Sequence, residues 1–284
     1  MTKAVVFYHA NCADGFGAAL AAWLVLGEHA QYVPCSYGDE PLDVTGLRVF
    51  ILDFSFDESV MARLDQQAVS LVLLDHHKSA QTAIQHFQCR CGGVKFDLTR
   101  SGARMAWDYF HAGKPVPALI SHIQDRDLWT WELAQSKDYL AALDAVGYDF
   151  AAWKQLMEMT PAQHGQFVAR GNAMNEKYQA LVDSLAEPAA CMPVTLLGHL
   201  GLMVNAPTLF ASELGNQLAL RCGTFAAIWK LDTPQRVKVS LRSVRSFDVG
   251  ALAQRMGGGG HPQSSSFYIP LSRLPELIAG TLTP

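Results

Sequence analysis

Three short apolar runs in the first 80 residues each end on an acid or a histidine. AVVFY (4–8) is followed by His9, with Asp14 just beyond in HANCADG. RVFIL (48–52) is followed by Asp53, and SLVLL (70–74) by Asp75, His76 and His77. A further acidic pair, Asp125 and Asp127, closes the stretch ALISHIQDRD. Carboxylates brought that close raise one another's pKa and do not all ionise without cations. A mixed Asp/His set without Cys suits Mn2+, Mg2+, Fe2+ or Co2+ better than structural zinc. The ligands are enough for two ions, with Asp53 a natural bridge, and paired ions are a device for displacement at phosphorus. Taken singly, each residue has a plainer reading: an Asp after a strand is usually a turn former, and two adjacent histidines in a strand point to opposite faces. Their joint occurrence carries the argument.

A second group lies near the end of the chain. Gly257, Gly258, Gly259, Gly260 and His261 are followed by Ser264, Ser265 and Ser266, with Arg242, Ser243 and Arg245 upstream in LRSVRS. Consecutive glycines let a backbone approach an anion and aim N–H groups at it. A histidine and arginines beside them turn a flexible loop into a candidate phosphate grip.

These residues need elements to position them. The three runs above and Gln31–Pro34 read as strands, and 17–27 and 58–67 as helices. Strands separated by helices imply βαβ units and a largely parallel sheet, whose strand ends share one edge where ligands bind. Segments 101–110, 117–123, 137–143, 149–157 and 161–185 read as helices, the last long enough to join two lobes. EPAACMP (187–193) marks a boundary. Strand patterns return at 195–197, 201–205, 225–231 and 237–242, with helices at 212–221 and 249–256. The fold class expected is therefore α/β: a doubly wound, mainly parallel N-terminal sheet plus a smaller mixed α/β C-terminal domain. The expected domains are 1–135 for the metal-binding part, 136–190 as a helical connector and 191–284 for substrate binding.

With 284 residues, 50% of them hydrophobic and 17% charged, the composition is globular. The net charge of −4 disfavours a long nucleic-acid duplex as partner. The longest apolar run, Ala18–Leu26, is half a membrane span and reads as a buried helix. The six cysteines are scattered and read as reduced thiols of a cytoplasmic protein. Cys89 and Cys91 lack the second pair that a zinc site needs.

In order and spacing, these motifs resemble the DHH phosphoesterase superfamily, in the branch with a C-terminal DHHA1 domain. Asp75-His76-His77 stands where that family's name motif stands, HANCADG is similar to its first motif, Asp53 in ILDFSF to its second, Asp125 in IQDRDLW to its fourth, and GGGGH to the DHHA1 signature. The resemblance implies that His9, Asp14, Asp53, Asp75, His76 and Asp125 bind two divalent ions, typically Mn2+. His77 would contact the phosphate or nucleophile, Asp127 would support the ligands, and Arg242, Gly258, Gly259, Gly260 and His261 would hold substrate. There are two departures: the first motif carries one carboxylate where the family often has two, and Ser264–Ser266 replace an Ala-Gly pair. The activity implied is a phosphodiesterase on short oligonucleotides or linear dinucleotides such as pGpG, releasing 5′-mononucleotides. The alternatives are a phosphomonoesterase on 3′-phosphoadenosine phosphate, a single-strand DNA exonuclease, or a nucleotide-binding protein with a decayed site.

Overall fold

The structure is a computed structural model and describes residues 3–284. It divides into two compact units, one running to Asn175 and the other Glu176–Pro284. The first holds β1 (Ala4–His9), α1 (Ala13–Leu26), β2 (Ala30–Cys35), β3 (Arg48–Leu52), α2 (Glu58–Gln67), β4 (Ser70–Asp75), α3 (Lys78–Ala83), β5 (Gly92–Phe96), α4 (Gly102–Phe110), α5 (Ala118–Asp127), α6 (Ser136–Asp144) and α7 (Phe150–Met157). The division falls within α8 (Pro161–Leu185). Unit two holds β6 (Met192–Leu196), β7 (His199–Asn205), α9 (Ala211–Cys222), β8 (Phe225–Thr233), β9 (Arg236–Ser243), α10 (Val249–Arg255), β10 (Gly259–His261), β11 (Ser264–Pro270) and α11 (Leu274–Ala279).

The first sheet has five strands in the order β2-β1-β3-β4-β5, all pairs parallel. The middle positions of its central strands are apolar because both faces are covered. Val6, Phe50 and Leu52 pack toward a core shared with Phe16 and Leu20 of α1 and Ala103 and Ala106 of α4. Val5, Phe7, Ile51 and Leu71 face the opposite core with Met61 and Leu64 of α2. Helix α1 is buried continuously from Asp14 to Ala22, so its run of Ala and Gly is needed for close packing rather than for amphipathicity. This is the doubly wound arrangement that the alternation of strands and helices implies. Strand order reverses between β1 and β3, and the crevice at such a reversal, beyond the carboxyl ends of the strands, is where open α/β sheets bind ligands. His9 ends β1 and Asp53 follows β3 directly.

The second sheet runs β10-β11-β9-β8-β7-β6 and is mixed: β7 and β8 are parallel and the other pairs antiparallel. Helices α10 and α11 supply one of its cores, while α9 and the C-terminal part of α8 supply the other. Two details differ from the sequence reading. Leu197, placed in a strand, has φ 51° and forms the tight β6–β7 turn with Gly198. The second half of the glycine run is strand rather than loop, since Gly259–His261 pair antiparallel with Ser264–Ser266 at the sheet edge. A Cβ at Gly258 would stand 2.1 Å from the Ser266 carbonyl oxygen. That glycine is therefore required by the approach of β11. Among the described residues no helix is long and apolar enough to cross a membrane.

Candidate metal centre

Two sets of ligand atoms gather at the carboxyl edge of the first sheet. Asp14, Asp53 and His76 form one, and His9, Asp53 and His77 the other; within each set the atoms lie within 4.8 Å of one another. Asp53 belongs to both. Its Oδ1 lies 3.1 Å from His76 Nε2, and its Oδ2 lies 3.4 Å from His9 Nδ1. His76 Nε2 also lies 3.5 Å from Asp14 Oδ2 and 3.4 Å from Asp127 Oδ2. One imidazole nitrogen thus faces three carboxylates.

Each of these side chains is aimed by local structure. Asp53 has φ 64°, a left-handed conformation uncommon outside glycine that turns its carboxylate back over the strand ends. Asp14 lies in the first turn of α1, and its oxygens accept from the amides of Gly102 (2.6 Å) and Ala103 (2.9 Å), which open α4. This ties two helix N-termini to one carboxylate. Gly102 has no room for a side chain, because a Cβ there would stand 2.5 Å from that of Asp53. Asp75 is fully buried, and its Oδ1 accepts from the amides of His76 (2.7 Å) and His77 (3.2 Å). The same oxygen lies 2.7 Å from Nδ1 of the His77 ring.

The electrostatics are those of a crowded acid cluster. Burial, then the charges of Asp53 and Asp127, push the Asp14 carboxyl well up. Withdrawal from water raises Asp127, and Asp53 adds to this while His76 pulls the other way. Burial opposes the charge on Asp53, but His76, His9 and His77 outweigh it and hold that carboxyl ionised. Burial likewise disfavours protonated His76, yet Asp53, Asp127 and Asp14 overcome it and raise His76 to about 10. In this arrangement protonated His76 is the cation that keeps the acids together.

Three buried polar atoms here make no hydrogen bond: His9 Nδ1, Asp53 Oδ2 and Asp75 Oδ2. Each such atom costs on the order of 1–3 kcal/mol if it stays unsatisfied. Three of them at one strand edge, on the hard oxygen and imidazole donors that suit divalent ions, fit a cation site well.

The acids of α5 divide differently from the sequence expectation. Asp127 lies against His76, whereas Asp125 holds the loop that follows α5. Asp125 Oδ1 accepts from the Thr130 hydroxyl (2.7 Å) and the Glu132 amide (2.8 Å), and its Oδ2 from the Leu133 amide (3.3 Å). That loop contains Trp129, Trp131 and Gln135, all at positive φ, and a carboxylate staple compensates for its strained backbone. Two residues apart on a helix are about 200° apart around its axis, so only one of the pair can face the strand edge. Asp125→Ala would leave these donors unpaired. The expected destabilisation is about 3 kcal/mol, read as a fall on the order of 10 °C in thermal midpoint, with metal affinity of the folded protein retained.

In the second unit, Arg242 lies on β9. Its guanidinium donates to the Leu241 carbonyl (2.9 Å) and the Ser212 hydroxyl (3.0 Å). No carboxylate pairs with it among the described residues, and burial alone lowers it to about 10. A desolvated guanidinium lacking an acid is a natural anion partner. His261 lies opposite Ser264 across the edge hairpin. The residues that sequence reasoning missed are Gly102 and Ala103, whose amides position Asp14 from 88 and 89 residues away.

Comparison with known proteins agrees with this architecture. Residues 209–280 match the DHHA1 domain. Over 284 aligned residues the chain is 28% identical to the uncharacterized protein R106 of Acanthamoeba polyphaga mimivirus, covering 92% of this chain and 66% of that protein. It is similar in structure to RecJ from Thermus thermophilus, solved in complex with Mn2+, with a TM-score of 0.55, 15% identity, and 99% and 51% of the two chains covered. It is also similar to PggH from Vibrio cholerae, a pGpG-specific phosphodiesterase, with a TM-score of 0.51, 12% identity and 96% of each chain covered. The chain spans about two thirds of its viral relative and about half of RecJ. At these identities the structural likeness is one of fold. Residues 209–280 are thus similar to the DHHA1 domain, and the chain shares its fold with RecJ and PggH.

Proposed function

We propose that this protein is a metal-dependent phosphodiesterase that cleaves short oligonucleotides or linear dinucleotides such as pGpG to 5′-mononucleotides. The observation that carries the reading is Asp53. It is one buried carboxylate shared by two ligand clusters, with an oxygen that no protein donor satisfies. His9, Asp14, Asp53, Asp75, His76 and Asp127 would hold two divalent ions, with Mn2+ the first choice; Asp127 takes the place first given to Asp125. Divalent ions, when bound, supply Lewis acidity and a nucleophile active near neutral pH.

The remaining roles belong to the protein. Asp75 grips Nδ1 of His77, so Nε2 is the atom of that ring able to hold or move a proton at the phosphate. Arg242, Gly258, Gly259, Gly260 and His261 would grip a substrate phosphate. The likeness to PggH supports a dinucleotide, and the acidic net charge favours a short ligand over a long strand.

The test is turnover with Mn2+ on pGpG, a longer RNA, single-stranded DNA and 3′-phosphoadenosine phosphate. Fastest cleavage of pGpG, abolished by a chelator and restored by Mn2+, is expected. Exclusive turnover of the monoester or of long DNA would move the substrate assignment, and product from none of them would remove the enzymatic reading.

A further inference from the structure

Beside the first turn of α1 lies a cavity of about 280 Å³, formed within the N-terminal unit. Ala13, Leu143, Val146 and Trp153 make its apolar floor, Tyr148 one wall, and Asp144 a polar rim. Ala13 sits between Cys12 and Asp14 in the chain, so the cavity begins one residue from the acid cluster. Its volume is just under the smallest of ordinary small-ligand sites, about 300 Å³, which suits one flat ring system rather than a whole nucleotide.

The Tyr148 ring is 51% exposed, yet it is backed by other rings, with centroids 5.2 Å from Phe16 and 6.0 Å from Trp153. An exposed aromatic face on a rigid aromatic backing is what a stacking platform requires. Asp144 is fixed by Arg126, whose Nη1 donates to both carboxylate oxygens at 2.9 Å. Arg126 directly precedes Asp127, which lies against His76, so the rim is braced by the helix end that completes the cluster.

We propose that this cavity receives a nucleobase of the substrate, stacked on Tyr148, and that Asp144 selects guanine. The proposal rests on the phosphodiesterase reading above and names the base which that site prefers. A carboxylate accepts two hydrogen bonds, and the Watson–Crick edge of guanine presents two parallel N–H donors. Adenine instead turns a ring acceptor toward the same carboxylate, which repels it. The burial of Tyr148 and the neighbouring Cys12 and Asp144 raise its phenol, so the ring stays neutral while stacking.

Two measurements test this on the full chain. The first is calorimetric binding of GMP and AMP to chelator-treated protein, which needs no metal and no turnover. The second is KM and kcat for pGpG and pApA with Mn2+. Tyr148→Ala is expected to weaken GMP binding and raise KM on the order of ten-fold, the weight of one base–aromatic stack. Tyr148→Phe is expected to recover most of that loss. Asp144→Asn is expected to erase the preference for guanine, bringing KM for pGpG up to that for pApA; an undiminished preference would remove Asp144 from the pocket. Both side chains are exposed, so the variants fold. Unchanged GMP binding and unchanged KM in Tyr148→Ala would overturn the proposal even if pGpG is cleaved. If the wild type cleaves no phosphodiester but binds GMP in a Tyr148-dependent way, the pocket stands and the enzymatic reading falls.

Discussion

Asp53→Asn is expected to abolish metal-dependent turnover, by 10³-fold or more, while leaving the chain folded. About 4 kcal/mol of lost transition-state stabilisation suffices for that factor. The reason is the position of Asp53 between two ligand sets. An amide keeps the shape of the carboxylate but removes its charge. An NH2 group replaces one oxygen, either Oδ1 facing His76 or Oδ2 facing His9. Neither arrangement can hold a cation on both sides. Thermal melting gives the independent readout. A ligand at 100 times its Kd stabilises by about 2.7 kcal/mol, so manganese is expected to raise the wild-type midpoint by several degrees and the variant's hardly at all. A manganese shift of wild-type size in Asp53→Asn would show that the two clusters do not share this residue's charge.

Much of this candidate site is legible in the sequence because parallel strands advertise themselves. AVVFY, RVFIL and SLVLL are covered on both faces, so they read as unbroken apolar runs. The polar residues that end such runs then fall on one edge by topology alone. The placement of His9, Asp53, Asp75 and His76 at one strand edge follows from that logic, as does the doubly wound class. What stayed hidden depends on contacts between distant segments. Nothing in SGARMA says that the amides of Gly102 and Ala103 grip Asp14. Asp125 and Asp127 are of the same type in the same turn of helix, and only the loop folded over Asp125 tells them apart. β5 escaped because GGVKF is short and half-exposed; Gly92 there is at φ 139° against the Leu71 carbonyl. The glycine run suggests a phosphate grip, and its pairing with β11 stays hidden, since glycine's permissiveness does not say whether the close neighbour is a phosphate or a strand.

His76→Ala is the second large effect, and its signature differs from that of Asp53→Asn. His76 Nε2 stands 3.1–3.5 Å from Asp53, Asp14 and Asp127. Without metal, protonated His76 is the charge that balances them. Its removal takes away a ligand and also leaves three carboxylates facing one another in a buried site. Metal-dependent turnover is expected to fall on the order of 10³-fold. The chelated protein should also melt lower than chelated wild type, because like charges that close are strongly unfavourable. Asp53→Asn removes a negative charge from the same cluster, so its chelated form should not share that loss. His77→Ala completes the comparison. That ring is held by Asp75 at 2.7 Å and is assigned a proton at the phosphate, so kcat should fall 10²–10⁴-fold, the usual weight of general acid–base catalysis. Manganese should still raise its melting midpoint. Melting curves with and without Mn2+ for the three variants therefore separate the bridge, the balancing imidazole and the proton carrier. Equal losses of metal binding in His76→Ala and His77→Ala would mean that both rings are ligands and that the proton carrier lies elsewhere.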